Sequence, residues 1–366
     1  MDNKMCILSS VDARYSQNIL TIKNIKIKVY KIDLDSGVKG VDGVIRTRND
    51  IELYYINWFY DDINQRLQQL LDEMNGGTTF ALPEFILLTE KIKKNLKTLL
   101  ISSPFSHLRL IRKWNQVMSI WKNDPQINPH IKEFCETLFK KFNYKGFRRG
   151  NLNRLAVMLN VKTCLYCNQQ YTLSFGTFET DPALLNLGKS TAFLQFDHFF
   201  DKSTYPFLSM CLYNLIPSCG ICNQKKSKSG YDISLHPYIS GLSEKIRFLI
   251  KDTNAMTNPH FKNNDHLNIE IDTGGDPNVS AIVGDLNLEL RYSRHLDIVR
   301  ELECAKYVER YYSDLEDWLA SRMHIEGSCD YSRRSALQRY LRGYRDECEI
   351  NDEPLTKFRR DIANQL

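Results

Sequence analysis

The 366-residue chain has no apolar run approaching the roughly 18 residues that a membrane-spanning helix requires. Its Phe80–Leu88 stretch is interrupted by Pro83 and Glu84. Residues 1–16 lack the charged-then-apolar order of a secretory leader. The expectation is a cytoplasmic protein with no membrane partner. No internal repeat or low-complexity tract is present. No Gly-x-x-x-x-Gly-Lys-Ser/Thr loop occurs, so any nucleotide hydrolysis has to come from a partner. No helix-turn-helix or other base-reading pattern stands out. Acidic residues are missing from two long spans, one between Glu136 and Glu179 and one from Lys202 to Tyr231.

What is present is the composition of a folded protein, with 42% hydrophobic and 25% charged residues. The net charge of +5 says little alone, but its distribution is informative. The first acid-free span carries Lys140, Lys141, Lys145, Arg148, Arg149, Arg154 and Lys162, and the second Lys225, Lys226 and Lys228. A cationic surface of this kind suits a phosphate backbone, with a solvated helix face as the bland alternative. Phe139, Phe142, Tyr144 and Phe147, interleaved with the first span, read as core rather than as stacking platforms.

Hydrophobic periodicity predicts an α+β fold with three segments, 1–160, 161–240 and 241–366. Residues 20–32 alternate Ile25, Ile27 and Val29 with Lys26, Lys28 and Tyr30, the pattern of a half-buried strand. From about residue 50 the period becomes helical through Ile56, Phe59, Ile63, Leu67, Leu70 and Met74, with Asp50 as cap and Gly76-Gly77 as stop. Helices follow at about 82–102, 105–122, 129–142 and 149–160. In the middle segment, 171–178 and 193–199 read as strands. Residues 267–271 and 286–290 both alternate, which predicts a second small sheet. A long amphipathic helix over 295–320 carries Leu296, Val299, Leu302, Val308, Leu315 and Leu319 on one stripe, a candidate docking face. Helices at 330–347 and 354–365 close the chain.

Six of the ten cysteines are scattered and read as buried thiols. The other four form two pairs, Cys164-Leu165-Tyr166-Cys167 and Cys219-Gly220-Ile221-Cys222. Two intervening residues let both sulfurs of a tight turn reach one metal at about 2.3 Å, and two such knuckles complete a tetrahedral zinc site. A dithiol redox pair is the rival, but it needs only one Cys-x-x-Cys. Zinc ribbons usually separate their pairs by about 15–20 residues. Here residues 168–218 intervene, so the knuckles bracket an inserted unit.

That unit contains Phe196-Asp197-His198-Phe199-Phe200 and Tyr213-Asn214-Leu215, and Asn223-Gln224-Lys225-Lys226 follows the last cysteine. This order resembles the HNH endonucleases with a ββα-metal core, over some 60–75 residues, with Asn223 where the family name has its second His. The resemblance implies His198 as general base, Asp197 and Asn223 as ligands of magnesium or manganese, and Asn214 as the brace of the loop. The chemistry is compatible. Phosphodiester hydrolysis needs an activated water and neutralisation of developing charge. A neutral imidazole is a suitable base, and magnesium prefers oxygen donors. Neighbouring strand residues face opposite ways, so Asp197 and His198 can share a site only where the strand ends or twists. His236 reads as structural, and His107, His130, His260, His266, His295 and His324 have no partner pattern.

The resemblance implies a DNA-cleaving hydrolase leaving 5′-phosphate and 3′-hydroxyl ends, with Lys225, Lys226 and Lys228 as phosphate contacts. The segments Lys162–Asn168 and Asp197–Ser203 are more weakly similar to HNH nucleases of bacterial anti-phage defence, the Septu type, which act with an ATPase. The expected partners are therefore DNA, or alternatively RNA, and an ATPase docked on the flanks. Two other classes remain open: a zinc-dependent nucleic-acid binding module without catalysis, and an RNA-cleaving toxin.

Overall fold

Thr47, not Asp50, opens the first long helix. In the computed structural model the Thr47 side chain accepts from the Asp50 N–H, and the Asp50 carboxylate accepts from the Thr47 N–H at 2.8 Å, a reciprocal capping box. Asp50 thus occupies the third helical position, which corrects its assignment as the cap. The structure describes residues 19–311 and 353–365, except 23–24, 29–31, 33, 35–36, 42, 78–80, 149, 179–186, 227–229, 243–244 and 252–267. The expected helix over 330–347, and Leu315 and Leu319, lie outside the described residues.

Helix α1 (Arg48–Asn75) buries Ile51, Tyr55, Phe59, Ile63, Leu67, Leu70 and Met74 along one stripe. It ends as expected at Gly76, followed by Gly77 at φ +89°, a left-handed conformation that favours glycine. The pattern over 82–102 resolves into two helices, α2 (Pro83–Lys94) and α3 (Leu96–Leu100). The break falls at Asn95, whose own side chain donates to the Lys91 carbonyl at 2.8 Å. Helices α4 (Pro104–Lys122), α5 (Ile131–Lys141), α6 (Tyr144–Phe147) and α7 (Asn151–Leu159) complete the helical part. Phe142 and Tyr144 are buried, and Phe139 and Phe147 pack against the same core.

Among the described residues the sheets are all antiparallel pairs. β1 (Ile19–Ile22) pairs with β2 (Ile25–Lys28) in the register Ile22↔Ile25, so the 20–32 region holds two strands rather than one. β3 (Val38–Lys39) pairs with β4 (Ile45–Arg46). β5 (Ser174–Phe178) pairs with β6 (Leu187–Ala192). β7 (Gln195–His198) pairs with β8 (Leu215–Ser218) and is followed by helix α8 (Gly220–Lys225). β9 (Arg247–Ile250) pairs with β10 (Ile269–Asp272). The architecture is therefore α+β.

The expected strand over 286–290 is helical. Helix α9 (Pro277–Asp285) is followed by Asn287 at φ 49° and then α10 (Leu288–Tyr292). Leu286 and Leu288 are buried but Leu290 is 66% exposed, so the alternation is not continued. The physical reason is tertiary. Glu289 accepts from the Ile271 N–H at 2.9 Å, which docks the turn onto the edge of β10. Helix α11 (Leu296–Tyr311) buries Ile298, Val299 and Leu302 and packs on α12 (Thr356–Ala363). Of the amphipathic stripe, Val299 and Leu302 are buried and Leu296 packs against the same core, while the Val308 side chain lies outside the described residues.

One hydrophobic core contains residues of all three segments. Buried tyrosines join them: Tyr55 donates to the Met210 carbonyl at 2.8 Å, Tyr144 to that of Phe196 at 2.9 Å and Tyr292 to that of Cys167. No helix among the described residues is long and apolar enough to cross a membrane.

Phe358 of α12 is fully buried, with its ring 5.3 Å from both Phe248 and Tyr292. Phe358→Ala is expected to destabilise the protein by about 3–5 kcal/mol, the usual range for emptying a packed aromatic site. Urea denaturation checks this, and a destabilisation under about 1 kcal/mol contradicts the packing.

Candidate metal centre and adjoining polar site

The first knuckle turns back on itself because Asn168, directly after Cys167, adopts φ 47°, which asparagine tolerates better than most residues. The Asn168 N–H donates to the Cys164 carbonyl at 2.8 Å and closes the turn. The second knuckle is a helix start. Cys219 is the N-cap of α8, and its sulfur accepts from the Cys222 N–H at 3.4 Å. Further backbone donors are the Gln169 N–H on Cys167 Sγ at 3.4 Å and the Cys219 N–H on Cys164 Sγ at 3.3 Å. N–H groups aimed at sulfur favour the thiolate form.

The four sulfurs lie within 4.8 Å of one another, with Cys167 and Cys219 Sγ 4.0 Å apart. A tetrahedron of sulfurs about 2.3 Å from one ion has edges of about 3.8 Å, so the donor set fits a metal such as zinc. Protons are shared unequally within the cluster. The neighbouring thiols of Cys164, Cys167 and Cys222 hold Cys219 below the ordinary thiol range, while burial pushes Cys164 above it. Among the described residues this is the one group of three or more His, Cys, Asp or Glu placed to hold a metal ion.

Arg291 was not anticipated from the sequence. Its guanidinium donates to Cys222 Sγ at 3.4 Å and to Gln169 Oε1 at 2.9 Å, which ties α10 to both knuckles. No spacing rule connects position 291 to Cys222, so only the fold reveals it.

Between the knuckles, β7 delivers Asp197 and His198 to opposite sides. Asp197 Oδ2 accepts from the Tyr166 hydroxyl at 2.7 Å and pairs with Lys226 Nζ at 2.9 Å. Burial and the Asp197 charge push the Tyr166 phenol well above its usual range, so it remains a donor. On the other side, His198 Nε2 lies 2.9 Å from the Ser209 carbonyl. A carbonyl only accepts, so Nε2 carries the proton and Nδ1 keeps the lone pair. Nδ1 has no hydrogen-bond partner among the described residues. The His198 ring packs edge-on to Tyr144 with centroids 4.5 Å apart. Burial lowers its pKa to about 3, with the Lys202 ammonium acting in the same direction, so the ring is neutral at pH 7.

Asn214 is fully buried at the entry to β8. Its Oδ1 accepts from the Phe200 N–H at 2.8 Å, and its Nδ2 donates to the carbonyls of Phe200 at 3.1 Å and Leu208 at 2.9 Å. These bonds hold the 199–209 loop, including the segment that presents the Ser209 carbonyl to His198. Asn223 is half-buried on α8, and its Nδ2 donates to Gln195 Oε1 at 2.5 Å. No hydrogen bond joins Asn223 to Asp197 among the described residues. The Asp197 carboxylate and the Asn223 side-chain amide both offer oxygen, the donor that magnesium prefers.

Lys226 departs from its expected role as a phosphate contact. Its side chain is 6% exposed, and its ammonium serves Asp197 Oδ2, the His198 carbonyl at 2.8 Å and the Phe199 carbonyl at 2.9 Å. An ammonium has three protons, and all three have acceptors, so none is left for a phosphate. Lys225 is exposed on α8, and Lys228 lies outside the described residues. His236 is buried, with Nδ1 accepting from the Tyr238 N–H at 3.2 Å and its ring 4.2 Å from that of Phe199, a packing role.

No family model, curated protein or solved structure matches this chain.

Purified protein is expected to contain one zinc per chain, and Cys219→Ser to lose it together with cooperative unfolding, because a closed thiolate site contributes folding free energy. Metal analysis of fresh protein that finds none excludes the assignment. Lys226→Ala strands the buried Asp197 carboxylate and is expected to lower stability by about 3–5 kcal/mol. Unchanged urea stability with weakened nucleic-acid binding would instead place Lys226 on the surface.

Proposed function

We propose that the chain is a zinc-stapled, metal-dependent endonuclease of the HNH type that hydrolyses phosphodiester bonds of DNA. The observation that carries this reading is the β–β–α order inside the knuckles. β7 carries Asp197 and His198 at its end, Asn214 leads into β8, and α8 begins at a cluster cysteine and carries Asn223. Zinc, held by Cys164, Cys167, Cys219 and Cys222, is structural in this reading, because a full set of four thiolates leaves no position for substrate.

His198 has the attributes of a general base. Its ring is neutral, its tautomer is set by the Ser209 carbonyl, and Nδ1 is the atom that can take a proton from water. Asn214 keeps that carbonyl in place through the loop. Magnesium or manganese, when bound, supplies charge neutralisation at the phosphate, and Asp197 and Asn223 are the residues that would hold it. Tyr166 and Lys226 orient the Asp197 carboxylate through Oδ2. A partner that hydrolyses nucleotide, as in anti-phage defence, belongs to the same proposal, since this chain has no phosphate-binding glycine loop of its own.

One observation favours a second reading, a binding module without catalysis. The Lys226 ammonium already neutralises Asp197, at the carboxylate where a divalent ion would sit.

With magnesium or manganese, purified protein is expected to cut duplex DNA. His198→Ala is expected to slow cleavage by ~10²–10⁴ while retaining zinc and DNA binding. Because a base with a depressed pKa stays unprotonated until the pH falls near that value, the rate is expected to hold well below pH ~6.5, the ordinary imidazole value. Full activity of His198→Ala removes the proposed base. Absence of any metal-dependent cleavage by the unaltered protein leaves the binding module, and cleavage of RNA alone assigns the other substrate.

A further inference from the structure

The first acid-free span supplies the Tyr144 ring, and the second places an ammonium over it. Tyr144, at the start of α6, is buried with its ring 4.5 Å from that of His198. Lys202, in the loop after β7, places its ammonium 5.0 Å from the centre of the Tyr144 ring and 6.0 Å from that of Phe139. Lys145 follows Tyr144 directly. Arg148 lies one turn on, with its N–H on the Tyr144 carbonyl at 3.0 Å. Lys145 and Arg148 are exposed and Lys202 is half-buried.

None of these three cations forms an ion pair among the described residues. The nearby acids are otherwise engaged. Asp197 holds Lys226 and Tyr166. Asp201 Oδ2 caps its own turn, accepting from the Thr204 N–H at 3.0 Å and Thr204 Oγ1 at 2.9 Å. Burial lowers the Lys202 pKa, Asp197 and Asp201 oppose that shift, and Arg148 and Lys145 add to it. Like charges near one another repel unless an anion joins them.

We propose that Lys145, Arg148 and Lys202 form the seat for a nucleic-acid backbone phosphate beside His198. The inference rests on the nuclease reading for the identity of its ligand and adds to it where the strand lies. The backbone crosses the Tyr144 edge of the site, between α6 and the 199–205 loop. Of the lysines after the second knuckle, Lys226 is turned inward with all three protons engaged. Arg148 can grip a phosphate in bidentate fashion, and Lys202, stacked on aromatic faces, is pre-positioned as a point charge.

The test compares the full-length protein with the triple variant Lys145→Ala, Arg148→Ala, Lys202→Met, and with Lys225→Ala as control. Binding to a short duplex DNA and to single-stranded RNA is measured by fluorescence anisotropy over a salt series, without added magnesium. Zinc content and melting temperature establish that each variant is folded. Lys202→Met keeps the apolar stem over Tyr144, and the single variant Arg148→Ala, at an exposed position, provides a second readout. For duplex DNA the log–log salt slope is expected to fall by about 0.9 for each phosphate that the variant no longer neutralises, for all sequences alike, with little change in Lys225→Ala. The same reduction confined to RNA supports the seat and assigns RNA as its ligand. A folded triple variant with an unchanged slope, or an unaltered protein that binds neither nucleic acid, overturns the proposal. A cluster-dependent slope in a protein that never cleaves upholds the seat and rejects the nuclease reading. Cleavage with an unchanged slope does the reverse.

Discussion

Four thiols packed within 4.8 Å of one another in a buried site cannot all ionise without a cation among them. That constraint organises the middle of the molecule. The two knuckles come from chain segments on either side of residues 168–218, so whatever holds the sulfurs together also closes a long loop. Closing a long loop by local contacts is entropically unfavourable. A multivalent ion held by the four sulfurs would tie β7, β8 and α8 together, beside the buried Phe196, Leu215 and Ile216. Arg291, Gln169 and the Tyr292 hydroxyl extend the tie into α10 and from there to the closing helix α12.

The second constraint is the buried Lys226 ammonium. It links α8 to the end of β7 by taking two backbone carbonyls and one carboxylate oxygen. A charge in such a place is tolerated only because every proton has an acceptor and the nearest acid balances it. It also sets the electrostatics of the site. Asp197 is presented with its charge already offset, while His198, on the other side of the strand, sits in surroundings that keep it neutral. The strand ends at His198, and the Lys226 ammonium that pairs with Asp197 also binds the His198 carbonyl.

Surface charge follows the same division between inward and outward lysines. The chain carries Lys225, Lys226 and Lys228 nearly in sequence, yet Lys226 is structural and Lys225 exposed. Lys202, from the second acid-free span, reaches the ring of Tyr144 in the first. A local charge run and a spatial charge cluster are therefore different things in this protein.

The sequence by itself determined what depends on neighbours along the chain. The helical stripes of α1, α4, α5 and α7 are legible because burial of one face imposes a period near 3.6. The α+β class follows from these stripes and the short alternating runs. The four clustered cysteines are legible because two residues between thiols is a geometric requirement of a knuckle. Only the tertiary structure decided what depends on contacts far apart in sequence. Residues 286–290 alternate like a strand but form a helical turn, because Glu289 finds the edge of β10. The role of Lys226 turns on two carbonyls and a carboxylate that no charge pattern reveals. Ser209 reaches His198 through its backbone, where residue type carries no signal, and Arg291 reaches Cys222 from another element altogether. Periodicity and spacing encode local geometry, whereas a hydrogen bond or ion pair between distant elements exists only once packing has brought both partners to one place.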